Sequence, residues 1–347
     1  MMPAHPQLRA VLVSALAGYT AWLLHIPLPW MIGPMVGMAS MKMRGIEVRP
    51  LKRGREAGQL IIGTAVGLYF TPAVMHEVWK VAGLMLLAGL ASIGIGYATA
   101  LVVSRLAGVD RKTAFFASVP GGASEMVMLG ERYGSHAAFV AMAQSLRMML
   151  VVLIVPLLFG LSGVTGSEPY VPVAVAFSWP GFALLLLAVI AGGAALHRIG
   201  APTPWVLGPL MCAVAITASG YSLSSMPGAV SALGQALIGC ALGCRFQREF
   251  LLQAPRMMSG VVAGVLLTIA MSAILGIGLA SIGGLPWASL ILATAPGGFA
   301  EMAVTAKVLQ LGVPLVAAVH VTRLLILLTM TAPIFHLAIH VNRYLER

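Results

Sequence analysis

The heptapeptide Pro120-Gly121-Gly122-Ala123-Ser124-Glu125-Met126 returns almost unchanged as Pro296-Gly297-Gly298-Phe299-Ala300-Glu301-Met302, 176 residues further on. Each copy sets a proline, two glycines and a carboxylate in the middle of an otherwise apolar stretch. Proline lacks the N–H that a helix interior requires, and glycine weakens a helix, so both stretches must be broken at this point. A carboxylate at such a depth is costly and marks a functional site by default. The other residues read as the scaffold that brings these two breaks together.

The depth follows from composition. Of 347 residues 59% are hydrophobic and 9% charged, too few polar side chains to cover a soluble globule of this size. Uncharged runs such as Val81 to Leu101 and Val261 to Leu279 exceed the ~18 apolar residues of a spanning helix. The formal charge of +11 does not point to nucleic acid, because the basic residues lie in short loops, where topology alone selects them. Cys212, Cys240 and Cys244 have no His or acidic neighbours in sequence and read as small core residues rather than metal ligands. The N-terminal run to Leu24 resembles a signal peptide, but its match to Phe182 to Leu196 makes it a retained span.

Further blocks repeat in the same order. Pro27-Leu28-Pro29-Trp30 with Gly33-Pro34 recurs as Pro202-Thr203-Pro204-Trp205 with Gly208-Pro209; Gly58-Gln59 with Gly63 recurs as Gly234-Gln235 with Gly239; Gln144 and Arg147 map onto His320 and Arg323. Several blocks at one period indicate duplication. The expected units are residues 1–166 and 173–347, joined by a Gly/Ser/Pro-rich linker from Gly160 to Pro172. Each holds six apolar elements, in the first half about Ala10–Leu24, Trp30–Met43, Gly58–Phe70, Val81–Ser104, Thr113–Gly130 and Ala137–Leu161, with Thr71 to Lys80 as a loop.

Charge then assigns orientation. The segment from Lys42 to Arg55 holds six basic residues while its counterpart Ala218 to Ser231 holds none, and Arg245 to Arg256 is basic where Thr71 to Lys80 is nearly neutral. Equivalent loops therefore belong on opposite sides, which makes the repeats inverted and requires an odd number of crossings in each. If the element broken by Pro-Gly-Gly enters and leaves on one side, 17 of the 21 Lys and Arg fall inside. The expectation is an all-α polytopic membrane protein of two inverted repeats, each with about five transmembrane helices plus one re-entrant or broken helix.

Discontinuous elements of inverted repeats that meet near the bilayer midplane build the sites of secondary transporters. Gly121, Gly122, Gly297 and Gly298 would permit close approach or positive φ, and the amides after each break could hold an anion. Glu125 and Glu301 either offset the helix dipole, with Ser124 as a capping hydroxyl, or serve as proton- or cation-coupled carboxylates. Arg147 and Arg323 either neutralise the glutamates or grip a carboxylate solute. Gln144 and His320 precede them by one helical turn, and imidazole is the side chain that takes up a proton near neutrality. Gln59 and Gln235 are secondary candidates, serving the cavity or interhelical packing.

The paired Pro-x-Pro-Trp-x-x-Gly-Pro, Gly-Gln-x-x-x-Gly and Pro-Gly-Gly-x-(Ser/Ala)-Glu-Met motifs resemble, over essentially the whole chain, the AbrB-duplication family of bacterial polytopic membrane proteins, whose members carry labels of ammonia monooxygenase or transcriptional regulator. The resemblance implies a bacterial membrane setting and, weakly, an influence on gene expression. A copper or iron oxygenase needs clustered His and carboxylate ligands, which the eight scattered histidines do not offer. No loop is long enough for a DNA-reading domain.

The expected protein is thus not an enzyme. It is a multi-pass protein of the bacterial inner membrane with both termini cytoplasmic, needing no cofactor or metal. Its partners are a small polar solute, with carboxylates in view, a coupling ion, the lipid bilayer and further copies of itself in a homo-oligomer, with no nucleic acid. The alternative is a non-transporting membrane sensor that uses the basic segment Lys42 to Glu56.

Overall fold

A computed structural model describes residues 6–164, 166, 175–246 and 255–345. Among these are fifteen helices and no strand: α1 Pro6–Leu23, α2 Pro29–Met43, α3 Gly54–Gly67, α4 Pro72–Lys80, α5 Ala82–Ala107, α6 Arg111–Ser118, α7 Ala123–Arg132, α8 Ala137–Ser162, α9 Trp179–Arg198, α10 Pro204–Ala218, α11 Gly228–Gly243, α12 Pro255–Gly283, α13 Trp287–Thr294, α14 Phe299–Leu309 and α15 Val313–Leu345. Five of them are long and apolar enough to cross a membrane, namely α5, α8, α9, α12 and the stretch Val313–Thr331 of α15. Leu16, Leu187 and Ile274 point outward and are more than two-thirds exposed, as lipid-facing side chains would be. The helices fit a multi-pass membrane protein.

Helix ends follow local chemistry. Proline stands in the first turn of α2, α4, α9 and α10, where its missing N–H has no partner to lose. Thr71, Asp110 and Ser178 accept N–H groups at the starts of α4, α6 and α9. The stretch Thr71 to Lys80, expected as a loop, is instead the amphipathic helix α4, turned by 90° from α3 with Val74 and Val78 buried. Its counterpart lies outside the described residues, as do most of those expected in the linker, whose first residues continue α8.

The helices pack in two groups, which also touch each other where α3 meets α14 and α8 meets α2 and α11. In one, α1 lies on α2, α9 on α10, and the halves interlace as α2 on α11, α3 on α10 and α3 on α11. In the other, α5 lies on α12, α6 and α7 on α8, and α13 and α14 on α15. Each of these contacts within a group either has a counterpart with the halves exchanged or maps onto itself. Between apolar helices in lipid there is little hydrophobic drive, so close backbone approach carries the association. A side chain on Gly58 would sit 2.7 Å from the Gly234 carbonyl, and one on Gly63 2.7 Å from that of Val206. This explains the repeated Gly-Gln-x-x-x-Gly. Gly33 and Gly208, with Pro34 and Pro209 inside α2 and α10, likewise press these helices onto α1 and α9.

Candidate functional site

The fifth apolar element of each repeat is a helical hairpin. The helices α6 and α7 are too short to reach far, and the chain reverses between them: the His136 N–H donates to Thr113 Oγ1 at 2.9 Å, joining the end of the element to its beginning. Halfway along, the rings of Phe116 and Tyr133 stack with centroids 5.8 Å apart. In α13–α14 the equivalent ends also meet, because a side chain on Gly312 would lie 3.4 Å from Ser289 Oγ. Pro120 and Pro296 therefore sit at hairpin tips.

A helix that ends inside protein leaves its last carbonyls without intrahelical partners. At the first tip Arg147, 3% exposed, donates from Nη1 to the Val119 carbonyl at 3.0 Å and from Nη2 to that of Gly121 at 3.1 Å. Gln144 Nε2 adds donations to Phe116 at 2.8 Å and Val119 at 3.0 Å. At the second tip Arg323 donates to Ala295 at 2.6 Å and Gly297 at 2.7 Å. The guanidinium fork suits two diverging carbonyls. Neither arginine forms an ion pair with a glutamate; the ion pairs among the described residues are Arg49–Glu47, Arg53–Glu56 and Lys80–Glu77. Of the two expectations for these arginines, a direct ion pair with a glutamate is not formed, and their hydrogen bonds go to carbonyls.

The glycines serve close approach, since none of Gly121, Gly122, Gly297 and Gly298 has positive φ. A side chain on Gly121 would meet Met126 at 2.7 Å, and one on Gly297 would meet Met302 at 2.7 Å. The space over Gly122 is taken by the Glu125 carboxylate and that over Gly298 by Glu301. Pro-Gly-Gly-x-x-Glu-Met is thus one interlocked unit, in which each glycine yields room to a residue of the next turn. Glu125 and Glu301 stand in the first turns of α7 and α14, where the helix dipole favours an anion. Glu125 is half-buried, while Glu301 is 4% exposed. Ser124 makes no capping bond, contrary to expectation, because Gly122 occupies the N-cap position.

Both breaks open on one cavity of ≈ 610 Å³. Its wall includes Gly121, Gly122, Ser124, Glu125, Arg147, Gly297, Gly298, Glu301, His320 and Arg323, together with Gln59. Gln144 lies behind the first tip and Gln235 outside the cavity, so these two are not lining residues. Arg55 and Glu56 of α3 and His197 of α9 also contribute, which places two elements with basic ends along one side of the cavity.

Sequence reasoning passed over Thr203. It holds φ at 42° before α10, lines the cavity, and its buried Oγ1 has no hydrogen-bond partner. A β-branched residue in this region is strained, and such strain gathers at functional sites. The signal was the duplicated Pro-x-Pro, whose other middle residue, Leu28, also has positive φ at 52°. Among the described residues no three His, Cys, Asp or Glu side chains are grouped to hold a metal.

The chain matches, over residues 6–339, the family model described as transition state regulatory protein AbrB. It is similar to the uncharacterised protein YhjN of Bacillus subtilis (strain 168), at 26% identity over 96% of this chain and 93% of that one. It is also similar to a protein of Escherichia coli (strain K12) named provisionally as regulator AbrB, at 27% identity over 88% of each chain.

Proposed function

The chain belongs to the AbrB family, and from that membership together with its shared cavity we propose that it is a non-enzymatic secondary transporter of a small polar, carboxylate-bearing solute in the bacterial inner membrane. The observation that carries this reading is the convergence of Glu125 and Glu301, each in the first turn after a break, on one cavity. The two hairpins are read as re-entrant elements of inverted repeats, entering from opposite faces with both termini cytoplasmic. Each half would then hold five crossings, with α3 and α4 forming one of them in the first half.

Support comes from what the cavity offers. Its wall carries the N-termini of α7 and α14, the carboxylates of Glu56, Glu125 and Glu301, and the arginines Arg55, Arg147 and Arg323. The glutamate carboxylates occupy their own N-termini as built-in anions. A solute carboxylate that displaced a glutamate there would take over the same N-terminus. Since the wall includes the ends of α3 and α9 but excludes Gln235, this conformation opens on one side, and transport would exchange it for the mirrored one. Purified protein in liposomes should move small carboxylates under a proton gradient, and Glu125→Gln or Glu301→Gln should abolish the flux. Flux unaltered by both changes would reject the proposal.

A second reading is a membrane sensor acting on gene expression, favoured by the name of the Escherichia coli relative and by the exposed Arg44, Arg49 and Lys52. Replacing those charges should then abolish signalling and leave flux intact.

A further inference from the structure

Gln144 and His320 occupy the same repeat position, yet they act differently on the two hairpin tips. Gln144 brings a permanent donor: its amide meets Phe116 at 2.8 Å and Val119 at 3.0 Å, beside the bond from Arg147 to the same Val119 carbonyl. At the second tip the equivalent carbonyl, Ala295, takes Arg323 at 2.6 Å. The second donor is missing there. His320 directs Nδ1 to its own helix, at 2.9 Å from the Val316 oxygen. A carbonyl only accepts, so Nδ1 carries the proton and, in the neutral ring, Nε2 is a bare acceptor. This Nε2 is buried without a partner, and the ring is 2% exposed.

The remaining backbone oxygen against the ring is that of Ala295. A proton added at Nε2 would turn the orphaned acceptor into the donor that Gln144 supplies at every pH. We propose that His320 Nε2 is the binding site of the coupling proton, and that its occupancy pins the second hairpin tip as Gln144 pins the first. The coupling role rests on the transporter reading; the hydrogen-bond switch does not.

The surroundings set the terms of binding. Burial and Arg323 on the same helix oppose a further positive charge on the ring, while Arg147 on α8, Glu301 on α14 and Glu125 on α7 share its cavity, with Arg55, Glu56 and His197 further along the wall. An anionic solute beside the arginines would add the negative charge that a cationic His320 lacks. Solute and proton would thus each strengthen the other's binding by the same factor.

Hydrogen exchange of the full chain in lipid nanodiscs, at pH 5.5 and 7.5 and corrected for intrinsic rates, tests this without a known solute. The hairpin α13–α14 should gain about fivefold in protection at the lower pH, the worth of roughly one hydrogen bond, while α6–α7 stays unchanged as an internal control. His320→Gln should abolish the difference, and Gln144→His should transfer it to α6–α7. A pH response that survives in His320→Gln, or that fails to appear in α6–α7 of Gln144→His, would overturn the proposal. Should His320→Gln not fold, the Gln144→His result decides alone. Absent flux with the expected exchange pattern would reject transport and leave the switch standing; intact flux with pH-independent exchange would reject the histidine alone.

Discussion

The carboxylate of Glu301 lies in the space that a side chain on Gly298 would need, and Glu125 stands in the same relation to Gly122. A methyl group at either glycine would therefore evict a carboxylate from its helix N-terminus without disturbing a neighbouring backbone. Gly298→Ala is expected to cost on the order of 1 kcal/mol of stability, the worth of an N-terminal cap. Flux in liposomes should nevertheless fall at least about tenfold, which the account ascribes to the displaced charge. Normal flux in both Gly122→Ala and Gly298→Ala would show that the carboxylates need not sit where they do.

Removing a guanidinium should be more damaging to the fold. Arg323→Ala leaves the carbonyls of Ala295 and Gly297 without their donors, at about 1–3 kcal/mol for each buried group. Arg323→Lys keeps the charge but not the fork, and should recover only part of the loss. Thermal unfolding in detergent would order the three proteins as native, Lys, Ala. Equal midpoints for native and Ala would mean that the tip is held by something else.

Asp110 gives a pH dependence at the base of the first hairpin. Burial alone would raise its pKa, but hydrogen bonds from the Thr113 hydroxyl and from the Thr113 and Lys112 N–H groups outweigh it and hold the carboxyl below its ordinary value. A depressed pKa contributes stability above the unfolded value of about 3.9, and this is lost as the pH falls through the lower folded value. Unfolding midpoints of the native protein should drop in that acid range, and those of Asp110→Asn should drop less. Parallel curves would remove Asp110 as the cause.

Sidedness can be read by labelling. Arg49 and Ser222 are both exposed and occupy loops that charge assigns to opposite faces. An impermeant thiol reagent should reach Arg49→Cys from the cytoplasm and Ser222→Cys from outside, in a background lacking the native cysteines. Labelling of both from one face would contradict inverted repeats.

Much of this site could be read from sequence because its grammar is local. Pro120 and Pro296 had to break a helix, and the offset shared by Gln144–Arg147 and His320–Arg323 had to bring like residues to like places. What the arginines do there was not legible, since the spacing in sequence between Arg147 and Glu125 says nothing of which carbonyls the tip leaves bare. Helix α4 was missed because its apolar face is only Val74 and Val78 among polar neighbours, too short a pattern to count. Thr203 escaped because backbone strain has no signature in residue type when the residue is not glycine. That Gln59 lines the cavity and Gln235 does not could not be read from the repeat, which gives the two residues the same place in sequence.

The central claim is that Glu125 and Glu301, from opposite halves, serve one ligand in one cavity. Thermal-shift screening of small carboxylates against the native protein, repeated for each stabilising compound with Glu125→Gln and with Glu301→Gln, tests it directly, since a ligand that binds the folded state raises its midpoint by an amount that grows with affinity. The account predicts that either substitution alone removes the shift of the same compound. A compound whose shift depends on one glutamate and is indifferent to the other would contradict it.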